Sequence, residues 1–213
     1  MKFSEDMLRL YAVTDRTWTG AQTLLEQVEA AITGGATMVQ LREKDLDEDA
    51  FLEEAVQMKA LCARYHVPLI INDNVDIALE CGADGVHVGQ DDMAAGDVRR
   101  RVGDGMIMGV TAKTVEQALA AQAAGADYLG SGAVFGSTTK LNAKPMTAET
   151  LRSICHAVTI PVVAIGGINR GNLGQLRGTG IRGAAVVSGI FASKDIEAEC
   201  RLLRAITEEA VRG

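Results

Sequence analysis

Aromatic residues make up only 4% of this 213-residue chain, so a core has to be built from Ala, Val, Ile, Leu and Met. No C-x-x-C pair occurs. Cys62, Cys81, Cys155 and Cys200 lie far apart, which argues against a zinc site or a disulfide framework and for buried, reduced thiols. The first ten residues mix Lys2, Glu5, Asp6 and Arg9 with scattered apolar side chains, so no signal-peptide apolar region is expected there. No run approaches the roughly 20 apolar residues that a membrane-spanning helix needs. A basic excess is lacking too: the formal net charge is −7 and the pI is near 5.0. Such a chain repels nucleic acid and anionic membranes, and neither is expected as a partner. These absences together predict a cytoplasmic protein. An anionic small molecule would need a locally positive pocket, or a bound cation, set against that global field.

What is present is an ordinary globular composition, 47% hydrophobic and 23% charged. No break in composition divides residues 1–213, which predicts one domain; a homo-oligomer is compatible with the sequence. A loose repeat of helical stretch, glycine-bearing turn and short β-rich run passes along the chain. The turns are Gly34-Gly35-Ala36, Cys81 to Gly85, Ala124 to Asp127 and Gly178-Thr179-Gly180, each placed where a helix C-cap is expected. Eight short apolar runs read as strands buried on both faces: 8–14, 38–43, 69–72, 85–89, 106–111, 128–135, 162–166 and 184–188. Helical spacing marks 21–33 and 49–65. Thr114 begins a Thr-x-x-Gln capping box, and Thr147 is a second N-cap. Strict alternation of eight units predicts an α/β fold, a single-domain (βα)8 TIM barrel, with an open doubly wound sheet as the alternative.

In a barrel the chemistry belongs at the C-terminal ends of the strands. Strand 2 ends in Gln40-Leu41-Arg42-Glu43-Lys44, where alternation puts Gln40, Arg42 and Lys44 on one side. A guanidinium fork and an ammonium suit a diphosphate, although the charges that follow also suit a solvated cluster. Strand 3 closes on Asn72-Asp73-Asn74, in which Asp73 or Asn74 could equally cap the next helix. Strand 4 runs His87-Val88-Gly89-Gln90-Asp91-Asp92. Carboxylates on neighbouring strands hold Mg2+ together with waters and phosphates, so Asp73 with Asp92 or Asp91 forms a metal pair. His87 reads as a packed strand residue. Strand 5 ends in Thr111, and Ser137, Thr138, Thr139 and Lys140 follow strand 6 as a donor-rich loop. Gly166-Gly167 after strand 7 and Val187-Ser188-Gly189 after strand 8 fall where barrels bind phosphate on backbone N–H groups. Two separable anion sites suit a transferase that joins two substrates.

Tyr11-Ala12-Val13-Thr14-Asp15, Val39 to Lys44, Ile71-Asn72-Asp73, Gly82 to Asp92, Thr139-Lys140 and Val163 to Ile168 resemble the thiamine-phosphate synthase family, in order and over nearly the whole chain. The Gln-x-Arg-x-Lys and His-x-Gly-Gln-x-Asp segments carry most of the specificity. The resemblance implies Mg2+-dependent joining of hydroxymethylpyrimidine diphosphate to hydroxyethylthiazole phosphate, releasing diphosphate. It implies that Gln40, Arg42, Lys44, Asn72, Thr111 and Lys140 contact the pyrimidine diphosphate, with Arg42, Lys44, Thr111 and Lys140 in catalytic roles. Asp73 and Asp92 would hold Mg2+. Ser137, Thr138, Thr139, Gly167, Val187 and Ser188 would bind the thiazole phosphate. It further implies a dissociative displacement that needs no general base. Three departures stand out: Gly136-Ser137 where the family has Pro-Thr, Thr111 for the usual Ser, and Leu141-Asn142 where a charged pair is typical. A thiazole tautomerase-like relative would have little reason to keep both the cations and the aspartates. An isomerase barrel would need a general acid and base at the rim, and a phosphate-binding regulatory protein is separable only by kinetics.

Overall fold

In the computed structural model, which describes residues 2–136 and 145–212, eight parallel strands close into a barrel in sequence order. The strands are β1 (Leu10–Val13), β2 (Met38–Leu41), β3 (Leu69–Asn72), β4 (Gly85–Val88), β5 (Ile107–Thr111), β6 (Tyr128–Gly132), β7 (Val162–Ile165) and β8 (Gly183–Val186). Closure comes from β1 against β8, with Tyr11 opposite Ala185. The expected (βα)8 barrel is the observed fold, and the open sheet is excluded.

The helices α1 (Leu24–Thr33), α2 (Glu48–Arg64), α3 (Val75–Glu80), α4 (Ala95–Val102), α5 (Val115–Ala123), α6 (Ala148–Ala157), α7 (Ser188–Phe191) and α8 (Ile196–Val211) cover the outside. Alternation along each strand divides the core in two. Outward side chains such as Leu10, Ala12, Val39 and Leu41 pack beneath the helices in one large apolar layer. Inward ones, among them Tyr11, Val13, Met38, Ile70, Ile107 and Tyr128, fill the barrel, with Phe3, Met7 and Leu8 closing its N-terminal end. With this interior packed, a ligand is confined to the opposite mouth.

Some boundaries differ from the sequence reading for local reasons. Leu8 ends a 3-10 turn (Glu5–Leu8) that plugs the barrel floor, so β1 starts two residues late. Helix α1 starts at Leu24 because Thr23 and Glu26 form a capping box. Strand β6 stops at Gly132, three residues before the expected end. Between β7 and β8 the chain forms only a 3-10 turn, Leu173–Leu176, so Gly178-Thr179-Gly180 does not cap an α-helix. Gly35, Gly82 and Gly125 do follow helices with positive φ, as expected of C-terminal turns. Thr114 and Thr147 cap α5 and α6, their hydroxyls accepting from Gln117 and Thr150 N–H.

Candidate active site

The C-terminal mouth holds a cavity of about 310 Å3 lined by Gln40, Arg42, Lys44, Asn72, Asp73, Thr111, Asp92, Gly167, Val187 and Ser188. These are candidates from six strand ends, β2, β3, β4, β5, β7 and β8, brought into one place. Ser137, Thr138, Thr139 and Lys140 lie outside the described residues.

Each member is held from its own strand end. Gln40 is buried and its Nε2 donates to Tyr11 Oη at 2.6 Å. The Arg42 N–H donates to Thr14 Oγ1 at 2.9 Å, and its guanidinium stands 4.0 Å from Asp15. Between Arg42 and Lys44, the Glu43 side chain turns the other way. It accepts from Arg16, which also bridges to Glu54 at 2.6 Å. Burial raises the Glu43 pKa above the ordinary carboxylate range, opposed by the Arg16 hydrogen bond. With Glu43 tied back, its two cationic neighbours face the mouth. Beyond Lys44, the charges Asp45, Asp47, Glu48 and Asp49 are exposed to solvent.

The acidic pair is built by a tight turn after β3. Asp73 has φ +62°, a left-handed conformation that few residues with a Cβ adopt. The Asn74 N–H returns to Asn72 O at 2.7 Å, and Asn74, not Asp73, caps α3 by accepting from Ile77 N–H. The Asp73 carboxylate is thereby left for the cavity, where Lys44 Nζ donates to it at 2.6 Å. Asp92 accepts from Gly89 N–H at 2.7 Å. Its pKa is raised, first by burial and then by a hydrogen bond with Asp73. Both aspartates at the β4 end are exposed and line the cavity, and Asp92 is the one that shares a hydrogen bond with Asp73.

At the far side Gly166 and Gly167 carry φ +102° and +65°. A Cβ on either would collide with Ala133 or with the Phe135 carbonyl, so only glycine lets β7 run this close to the chain leaving β6. Gly189 meets the Ile168 carbonyl in the same way, which seats the β8 end against the β7 loop.

Four residues to which the sequence reading gave no site role also line the cavity: Tyr11, His87, Gln90 and Lys113. Tyr11 and His87 line the cavity floor. Gln90 Nε2 donates to the Thr111 carbonyl at 2.5 Å, and Lys113 adds an exposed cation to the rim. His87 does pack as a strand residue, yet its ring also meets the Thr111 hydroxyl at 3.0 Å. Alternation along β4 would have pointed it inward, in phase with Gly85 and Gly89. Its partners, though, come from strands distant in sequence. Among the described residues no group of three or more His, Cys, Asp or Glu side chains could hold a metal.

Comparison with known proteins finds relatives over nearly the whole chain. The family described as thiamine monophosphate synthase matches residues 10–190. A thiamine-phosphate synthase of Ruminiclostridium cellulolyticum is 53% identical over 194 residues, covering 91% of this chain and 92% of that one. One from Clostridium tetani is 47% identical over 200 residues, covering 94% and 96%. The solved thiamine phosphate pyrophosphorylase of Pyrococcus furiosus superposes with a TM-score of 0.89 at 36% identity, covering 97% and 98%.

Proposed function

The chain belongs to the thiamine monophosphate synthase family, transferases of thiamine biosynthesis, and from that membership we propose that its mouth joins hydroxymethylpyrimidine diphosphate to hydroxyethylthiazole phosphate by a Mg2+-assisted dissociative displacement. The observation that carries this reading is the single cavity shared by Gln40, Arg42, Lys44, Asn72, Thr111 and the Asp73–Asp92 pair. Arg42 takes diphosphate oxygens through its fork and Lys44 as a point charge. Gln40, Asn72 and Thr111 orient the pyrimidine. Gly167, Val187 and Ser188, with Ser137, Thr138 and Thr139, take the thiazole phosphate, and Lys140 adds a cation to the leaving group.

Asp73 and Asp92 come from neighbouring strand ends and line the same cavity, with Lys44 on Asp73 as the nearby cation, and their oxygens would suit a divalent ion. Carboxylates from two strands, completed by waters and substrate oxygens, form the donor set that Mg2+ prefers. The cavity's charge balance supports this as well: Arg42, Lys44 and Lys113 are matched by Asp73, Asp91 and Asp92. The described lining is thus not the positive pocket expected for an anionic substrate, and a dication would make it one. When bound, Mg2+ supplies charge that stabilises the departing diphosphate.

In the reaction the methylene–oxygen bond breaks with its electron pair leaving on diphosphate. The thiazole nitrogen then donates its lone pair to the methylene carbon. No proton moves, so no base is required. Val163, Ile165 and Ala185 keep the cavity wall apolar, which protects a cationic methylene from water. The four free thiols and the lack, among the described residues, of a helix long and apolar enough to cross a membrane support a cytoplasmic enzyme. We read the barrel as one catalytic domain.

Incubation with both substrates, in Mg2+ and in EDTA, should release diphosphate and thiamine phosphate only with the metal. No product under either condition sinks the transferase reading. Asp92→Asn should raise the Mg2+ concentration needed for half-maximal rate by about 10–100-fold; unchanged activity at limiting Mg2+ removes Asp92 from the metal site.

A further inference from the structure

We propose that Tyr11, Tyr128 and His87 form a hydrogen-bond relay through the barrel interior that fixes which edges Gln40 and Thr111 present to the substrate ring, and that the relay thereby selects an aminopyrimidine over its oxo counterpart. The proposal rests on the function above for the identity of the ring.

Five side chains from five strands make an unbroken path. Gln40 Nε2 lies 2.6 Å from Tyr11 Oη, and Tyr11 Oη lies 2.8 Å from Tyr128 Oη. Tyr128 Oη is 3.1 Å from His87 Nδ1, and His87 Nε2 is 3.0 Å from Thr111 Oγ1. An amide nitrogen can only donate, so the Tyr11 oxygen accepts from Gln40 and its O–H donates to Tyr128. The Tyr128 O–H then donates to Nδ1, which requires the His87 proton on Nε2. That proton goes to the Thr111 oxygen, and the Thr111 O–H is left to donate into the cavity. Burial pushes the pKa of both tyrosines up, so they remain phenols able to pass the bond along.

The same path forces the other end. With one Nε2 hydrogen on Tyr11 the amide orientation is set, and Gln40 has Oε1 as its acceptor towards the cavity. Turning the amide over would reverse every link at once, presenting a donor at Gln40 and an acceptor at Thr111. The two edges are coupled and cannot be chosen separately. In the direction drawn, they fit a ring that brings an exocyclic amine donor to Gln40 and a ring-nitrogen acceptor to Thr111. In its lactam form an oxo ring carries an acceptor at the exocyclic atom and an N–H donor at the adjacent ring nitrogen, so that both partners are mismatched unless the whole path reverses.

The strands are built around this path. A Cβ on Gly109 of β5 would overlap the Tyr128 ring and His87 Nδ1, and one on Gly130 of β6 would stand 3.0 Å from His87 Cε1. Glycine within a strand weakens it, and its use here leaves a slot for the two head groups. Phe3 stacks on Tyr128 from the barrel floor with centroids 6.1 Å apart, and Gln90 holds the Thr111 carbonyl.

Two measurements test the relay. In 15N-labelled protein without substrate, the His87 ring, identified by its loss in His87→Asn, should carry its proton on Nε2 alone. A proton on Nδ1, with or without one on Nε2, overturns the proposal. This readout needs no turnover, so it stands apart from any failure of the transferase assay. In the second measurement, kcat/KM is compared for the aminopyrimidine diphosphate and its 4-oxo analogue. Tyr128→Phe, shown folded by circular dichroism and melting, should cut the preference for the amine by at least about tenfold. Tyr11→Phe cuts the path one link nearer Gln40 and serves if Tyr128→Phe does not fold. A folded variant that keeps the full preference overturns the proposal, because a merely structural tyrosine would alter stability and leave the ratio intact.

Discussion

Asp73 occupies φ +62° although it is neither Gly nor Asn. Holding a side chain in that region costs on the order of 1–3 kcal/mol, and such strain gathers at functional positions. Its neighbours oblige the strain: the Asp73 N–H is tied to His87 O at 2.8 Å, and Asn74 must cap α3. The carboxylate's stabilising contact is the Lys44 pair, partly exposed and therefore worth about 0–1 kcal/mol. Glycine at this position relieves the strain but frees the unfolded chain, a cost of about 0.4–1 kcal/mol. Asp73→Gly is therefore expected to melt within about 4 °C of the parent, while Mg2+-dependent turnover falls on the order of 100-fold or more. Thermal melts and Mg2+ titrations of the rate check both halves. A large drop in melting temperature would show that Asp73 serves the fold instead of the site. The sequence left open whether Asp73 or Asn74 caps α3, and so whether Asp73 is free to serve as a ligand. Two adjacent polar residues after a strand look alike until the direction of the turn is known.

At the scale of strands and helices, the sheet was readable because its runs are buried on both faces, and β3 kept its expected bounds without change. The errors fall at ends, where hydrogen bonding and not hydrophobicity decides. Strand β6 is the clearest case: Ala133, Val134 and Phe135 are as apolar as a strand, but the chain leaves the ladder at Gly132 to pass beneath Gly166. At the mouth, the residues of Gln-x-Arg-x-Lys and Asn-Asp were legible because they crowd within a few positions of one strand end. The Tyr11–Tyr128–His87 path was not, since its members are separated by 117 and 41 residues and meet only inside a closed barrel. The glycines carry its only local trace. Gly109 and Gly130 sit in mid-strand, where a side chain would ordinarily pack. Gly109→Ala should therefore displace the Tyr128 and His87 rings and cost about 1–3 kcal/mol through overpacking. Urea denaturation measures that loss; a stability within about 0.5 kcal/mol of the parent would mean the slot has room to spare.

Over the whole molecule, burial raises the pKa of all four thiols, Cys62 and Cys200 furthest. Cys62 in α2 and Cys200 in α8 are fully buried beneath separate parts of the helical layer. Burial pushes each pKa up to about 12, with Asp84 adding to it at Cys62 and Glu199 at Cys200. An unfolded thiol ionises near 8.5. The folded state thus holds these protons more tightly than the unfolded one. The resulting stabilisation is complete below about pH 8.5 and is lost as the pH rises towards 12. Within that window each thiol lowers the unfolding free energy by about 1.4 kcal/mol per pH unit, roughly 3 kcal/mol for the two. Tyr11 and Tyr128, buried with raised pKa values, act in the same direction at higher pH. Removing the thiols should leave a shallower decline, even though each Ala substitution lowers the starting stability by deleting buried sulfur. In the Cys62→Ala, Cys200→Ala double variant, urea unfolding between pH 9 and pH 10.5 should show a slope smaller by about two protons than in the parent. Equal slopes would mean that these thiols ionise in the folded protein, which requires water to reach the layer between helices and barrel before the molecule unfolds.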